Sequence, residues 1–249
     1  MKNEPHPMTE NVKGLLLEDR WAPTTSEMGF LETDAEHAAR AFAAWQGGLL
    51  APRDISVAVH PVSGSLEQAL SSLLPLTSPE TRRQLFIPTR SPWTAYVENT
   101  RGGTDAASAM SYMARTLGCR GMRVVAVPHT LRKDKGRYGA VMWEVYGPRR
   151  TDWLNYLRTL YASNDGGRWV FGQSGEPFPF EKQEQYQARK VRDRFTFELL
   201  ADYLHHLGLS PFKEDFYLAQ GAPAWLVEKT GPVVPNHKEF TLAQVRENF

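Results

Sequence analysis

The stretch Arg101-Gly102-Gly103-Thr104-Asp105, with Trp93, Tyr96 and Asn99 just upstream, is where residue types and spacing come nearest to a ligand site. Free backbone amides at a helix N-terminus attract anions and Arg101 adds positive charge, so the chemistry on offer is recognition of a phosphorylated or nucleotide substrate. The same residues suit a plain turn. Glycine supplies the positive φ angles of a tight connection, Thr104 is a good helix cap, and the carboxylate of Asp105 complements the helix dipole without any ligand. The turn reading is preferred, and Trp93, Tyr96, Asn99, Arg101 and Asp105 stand as the candidate ligand-binding set.

Other chemistry-bearing groups are sparser. Asp202, His205 and His206 share a helix face at i, i+3 and i+4, but two or three ligands on one helix fall short of a closed zinc site, and histidine near a helix C-terminus is favoured by the dipole alone. No metal and no cofactor is expected. Cys119, directly after Gly118 and with no histidine near it in sequence, reads as a packing residue. His60 and His129 each adjoin a proline with no acid nearby, which suits surface or packed residues. Gly172-Gln173-Ser174-Gly175 departs from a nucleophile elbow because its second glycine comes one position early and Pro177 follows where a helix should begin. Phosphate-binding glycine loops, His-Glu-x-x-His and Cys-x-x-Cys are absent from the sequence.

A basic tip runs from Arg132 to Arg137, and Arg132, Lys133, Lys135 and Arg137 are the residues that would track a nucleic-acid backbone. That reading is disfavoured because the net charge of the chain is only +1. Trp143, Trp153, Tyr156, Tyr161 and Trp169 read as core aromatics. The run Glu176-Pro177-Phe178-Pro179-Phe180-Glu181 is irregular yet apolar, so its phenylalanines must be covered, by the body of the domain as the default.

These groups have to be positioned by a chain of 249 residues with 41% hydrophobic and 11% aromatic content, enough for one sizeable core. Residues 1–50 hold 4 Lys/Arg against 8 Asp/Glu (net −4) and residues 115–150 hold 9 against 2 (net +7). A single cysteine permits no internal disulfide and suits a reducing compartment. The polar first ten residues and the lack of a long apolar run predict a cytoplasmic chain with no secretory signal and no membrane span.

Residues 1–12 read as a flexible lead, and Gly14 to Glu18 as a first strand. Thr33 with Glu36 is expected to open a helix that Gly47-Gly48 ends, and Ser65 with Gln68 to open a second that Pro75 stops. Ile55 to Val59, Gln84 to Ile87, Trp93 to Val97, Met122 to Val127 and Tyr138 to Tyr146 show strand patterns, and a helix fed by the glycine loop runs to about Leu117. Asp152 reads as the cap of a short helix through Leu157, and Leu157 to Ala162 reads equally as a strand. Asn164-Asp165-Gly166-Gly167 marks a hairpin, and Thr196 caps a helix that Gly208 ends. Residues 221–249 read as a C-terminal arm packing on a 13–220 domain, with Thr241 and Gln244 opening a last short helix.

Strands outnumber long helices and several are joined by hairpin turns. The expected fold is therefore α+β, a single domain with an antiparallel or mixed β-sheet flanked by several α-helices. A full-sized fold without a recognisable catalytic set points first to a protein that works by binding another macromolecule, most plausibly a protein partner of immunity, inhibitor or adaptor type. The alternative is an enzyme acting on a phosphorylated or nucleotide substrate at the Arg101–Asp105 loop.

Overall fold

The computed structural model describes residues 12, 14–131, 135–218 and 221–247. In chain order its elements are β1 (Glu27–Leu31), α1 (Ala35–Leu50), β2 (Ser56–Val62), α2 (Leu66–Ser71), β3 (Leu76–Ser78), β4 (Arg83–Pro88), β5 (Thr94–Glu98), α3 (Ala107–Leu117), β6 (Gly121–Val127), β7 (Ala140–Tyr146), β8 (Tyr156–Asp165), β9 (Arg168–Gly175), α4 (Phe197–His206), β10 (Ala224–Thr230), β11 (Lys238–Phe240) and α5 (Leu242–Arg246). Nine strands among the described residues form one sheet in the order β2-β10-β4-β5-β1-β6-β7-β8-β9, and every neighbouring pair is antiparallel. The α+β single-domain expectation holds. At its centre, β4-β5-β1-β6 with α1 and α3 packed on one face form an interleaved β-α-β-β-α-β unit.

Strict alternation along the strands builds two apolar layers. Leu85, Ile87, Ala95, Val97, Val124, Val141 and Trp143 face one side, where Leu70 of α2 and Leu200, Tyr203 and Leu204 of α4 meet them. Leu31, Phe86, Tyr96, Tyr146 and Val227 face the other, against Ala38, Ala39 and Phe42 of α1 and Met110, Met113 and Ala114 of α3. α3 lies so close to β1 that a Cβ on Gly29 would sit 2.6 Å from the Met110 sulfur. Each large side chain buried in these layers contributes about 1.5–3 kcal/mol of hydrophobic stabilisation.

Several local expectations are met by named bonds. The Ser65–Gln68 and Thr241–Gln244 capping boxes both close, Thr196 caps α4, and Gly118 ends α3 in the left-handed conformation. The hairpins β6-β7 and β8-β9 pair as predicted.

Others are corrected. Gly14 to Glu18 is not a strand: Leu16–Asp19 forms a 3-10 turn that buries the consecutive residues Leu16 and Leu17, which an alternating strand could not do. The cap of α1 is Asp34, whose carboxylate accepts from the His37 amide at 2.9 Å, and Glu36 instead pairs with Arg40 one turn on. Gly47-Gly48 does not end α1. Glycine in a helix costs only about 1 kcal/mol, and the helix runs on to Leu50 with Pro52 just beyond. Asp152 to Asn155 is a turn and not a helix, and of the two readings of this segment the strand over Leu157 to Ala162 is the one met, inside β8.

The largest correction concerns residues 221–249. The segment is no surface arm, because β10 lies inside the sheet, bonded to β2 and β4. Ala224 and Leu226 face one core layer and Val227 the other, a two-sided apolar pattern that suits an interior strand. β11 pairs with β3 in a separate two-stranded sheet. Among the described residues no helix is long and apolar enough to cross a membrane.

Candidate functional site

The glycine loop is a turn in which the Arg101 amide bonds to the Thr77 carbonyl at 2.8 Å and the Gly103 amide to the Thr100 carbonyl at 2.9 Å. Gly103 has φ +98°, and a Cβ there would lie 2.6 Å from the Pro23 carbonyl oxygen, so a side chain is excluded twice over. Thr104 is not the cap of α3. Its hydroxyl donates to the Thr24 carbonyl at 2.8 Å and accepts from the Glu98 amide at 3.1 Å, and the helix begins after Ala106 without a side-chain cap of its own. Two carboxylates bond to the amides just ahead of the helix: Glu98 accepts from the Asp105 amide at 3.1 Å, and Glu27 from the Ala106 amide at 2.7 Å. The protein thus supplies its own anions where a ligand phosphate was expected. Burial pushes the Glu98 carboxyl above the usual carboxylate range, against the bonds it receives from Tyr96, Asp105 and Thr100.

The five candidate residues do not converge on one cavity. Trp93 is buried, donates its ring N–H to the Leu207 carbonyl at 3.0 Å and lies under the Arg120 guanidinium. The Tyr96 hydroxyl is buried on Glu98 at 2.7 Å. Asn99 is a clamp, accepting from the Arg82 and Arg83 amides at 3.0 and 2.9 Å and donating to the Pro75 carbonyl at 2.9 Å. Arg101 is exposed, with its guanidinium 4.6 Å above the Phe240 ring, and Asp105 is exposed as well.

The remaining candidates also have structural roles. Asp202 pairs with Lys182 at 3.0 Å and His206 stacks on Phe180 with centroids 4.9 Å apart. Cys119 packs half-buried against the α1–α3 layer, where burial pushes its thiol up. Arg132 and Lys133 lie outside the described residues and Lys135 is exposed. Arg137 is not a phosphate-facing residue of the tip: it donates to Asp19 at 2.6 Å and to Ser26 at 2.7 Å.

The feature that lacks a structural explanation is an open groove of about 900 Å³ at the junction of β7, β8 and β9. One wall carries Trp153, Tyr156 and Leu157, the other Pro177, Phe178 and Pro179. The first wall is held rigidly. The Thr151 amide closes a turn onto the Leu154 carbonyl at 2.8 Å, and the fully buried Asn155 side chain donates to the Ser111 and Gly147 carbonyls at 3.0 and 2.8 Å. Leu154 is kept at φ +53°, an unfavourable conformation for a branched side chain. The turn presents Trp153 at 72% exposure and Leu154 at 50%. Trp153 was expected in the core beside Trp143, but only Trp143 is buried there.

The second wall hangs on a buried ion pair. Arg158 and Glu181 have side chains 1% and 0% exposed and meet at 2.6 Å. Arg158 also donates to the Ser174 and Gly175 carbonyls at 3.1 and 2.9 Å and to Gln173 at 2.9 Å, while Glu181 accepts from the Phe178 amide at 2.9 Å and the Tyr186 hydroxyl at 2.7 Å. With its charges paired and hydrogen-bonded, the network fixes where the chain leaves β9. Phe178 and Phe180 pack against Trp143, the default expected from the sequence, and Phe178 shares the groove wall with Pro177 and Pro179. β9 is the last strand of the sheet, and among the described residues only β8 pairs with its backbone.

The exposure of Trp153 had one weak signal in the sequence, its position in a polar loop after Gly147-Pro148-Arg149-Arg150. Comparison with protein-family models, curated proteins and solved structures returned no match for this chain.

Proposed function

We propose that this protein works by binding a protein partner, in the manner of an inhibitor, immunity or adaptor protein, through the Trp153 groove and the adjoining edge of β9. The observation that carries this reading is a tryptophan held at 72% exposure on a turn that is itself pinned to the core. The Asn155 bonds and the Thr151–Leu154 turn hold the backbone that carries this side chain. Burying Trp153, Leu154 and Leu157 against a partner would contribute about 1.5–3 kcal/mol each, and exposed tryptophans are prominent among binding hot spots. The unpaired backbone of β9 suits an extended partner segment that adds a strand and drops an apolar anchor into the groove. The phosphate or nucleotide reading of the Arg101–Asp105 loop loses ground because its amides already bond to Glu98 and Glu27.

The test is affinity capture from the source cells with the wild-type chain and with Trp153→Glu. The expected result is a partner retained by the first and lost by the second at equal melting temperature, with hydrogen exchange in the complex slowed at 151–157 and 168–175. Equal retention by both chains, or protection confined to another face, overturns the reading.

A further inference from the structure

A second cleft, of about 290 Å³, lies between the ends of β10, β4 and β5 and the small β3–β11 sheet. Thr77, Arg82, Asn99, Lys229, His237 and Glu239 are among its lining residues. Most of the charges around it are spoken for. Arg83 pairs with Glu228 at 2.8 Å and donates to the Leu74 carbonyl; Arg82 donates to the Gly231 and Pro232 carbonyls at 3.0 and 3.3 Å and lies 3.5 Å from Glu80, which Arg53 holds at 2.9 Å.

Lys229 is the exception. Its backbone amide bonds to the Arg82 carbonyl, but its side-chain amine has no hydrogen bond or ion pair among the described residues. Two polar atoms nearby are buried without a partner among the described residues: Nδ1 of His237, which lines the cleft, and Oε1 of Gln84, which does not. The register Val227↔Gln84↔Glu98 places Lys229, Gln84 and Glu98 on the same face of three adjacent strands. Native proteins rarely leave buried polar atoms unsatisfied, so the buried His237 Nδ1 and the unpartnered Lys229 amine, which line the same small cleft, mark a place where a ligand supplies the missing bonds. The setting also changes the amine. Burial lowers Lys229 to about 8, with the Arg82 charge adding and Glu98 and Glu80 opposing.

We propose that Lys229 is a nucleophilic amine that forms an imine with a small polar aldehyde or ketone bound in this cleft. The Nζ lone pair attacks the carbonyl carbon and the carbonyl oxygen takes up a proton, giving a carbinolamine. Nζ then loses its remaining proton as the hydroxyl leaves as water, so that amine and carbonyl become imine and water with no change of oxidation state. His237 is the imidazole in the cleft available to carry those protons.

The experiment incubates the full chain with glycolaldehyde and sodium cyanoborohydride near neutral pH and maps the reduced adduct by peptide mass. An amine near 8 holds on the order of a hundredfold more free base at neutral pH than an ordinary lysine. The folded protein is therefore expected to label at Lys229 at least about tenfold faster than at the exposed Lys182, and urea should abolish the preference. The rate should climb through about pH 8 and then level, shaped by Arg82, Arg83, Arg53, Glu80, Glu98, Glu228, Glu239 and His237 around the amine. Lys229→Arg should remove the fast adduct. Should that variant fail to fold, the comparison of folded and urea-unfolded wild type decides alone. Uniform labelling of the lysines in the folded chain, or the same Lys229 rate with and without urea, overturns the proposal.

Discussion

Arg101 and Gly103 sit two positions apart, yet the structure gives them opposite weights. The Arg101 guanidinium is in solvent above Phe240, so Arg101→Ala should cost no more than about 1 kcal/mol, the scale of an exposed cation–π contact. Gly103→Val meets both a left-handed backbone and the Pro23 carbonyl, and should cost at least about 1–3 kcal/mol. Urea denaturation of the two variants checks the order, and a larger loss from Arg101→Ala would mean the loop is held by its charge. Arg158 belongs to the same scale. Arg158→Met leaves Glu181 buried without its counter-charge, and about 3–5 kcal/mol of unfolding free energy should be lost. A loss below about 1 kcal/mol in the same assay would show that water reaches Glu181.

Among the elements, α1 gives the sharpest test of a sequence reading that failed. Gly47 and Gly48 are helical and have open space where a Cβ would stand. Gly47→Ala and Gly48→Ala should therefore each stabilise the protein by about 0.5–1 kcal/mol, seen as a raised melting midpoint. Destabilisation would show that the helix does end there. Capping residues announced α2, α4 and α5 correctly because a cap and its amide lie within three residues of each other. The start of α3 was misread because the Thr104 hydroxyl is taken by the Thr24 carbonyl and the Glu98 amide, and Thr24 lies 80 residues away in the chain.

For the molecule as a whole, the position of β10 makes the C-terminal segment part of the core. A chain ending at residue 220 should lose the interior strand between β2 and β4, and with it cooperative thermal unfolding and dispersed amide resonances. Retention of a sharp transition would restore the picture of an arm lying on a finished domain. The same scale separates the two proposed sites. The Trp153 groove adjoins β8 and β9 at one edge of the sheet, the Lys229 cleft adjoins β10, β4 and β5, and no lining residue is shared. Trp153→Glu should leave imine trapping at Lys229 unchanged, and Lys229→Arg should leave partner capture unchanged.

What the sequence determined by itself was local: the Ser65 and Thr241 capping boxes, the Gly118 stop, the β6-β7 and β8-β9 hairpins, and an α+β class with an antiparallel or mixed sheet. The caps and the helix stop depend on bonds within a few residues and the hairpins on strands that follow each other directly in the chain, so the information lies inside the segment. Only the tertiary structure decided that Ala224–Thr230 slots between β2 and β4, that Trp143 is buried while Trp153 is not, and that Lys229 lines a cleft with no direct ion pair among the described residues. A strand carries no mark of its neighbours, since backbone hydrogen bonds are the same for every partner. The exposure of a tryptophan and the environment of an amine are likewise set by atoms that arrive from distant parts of the chain.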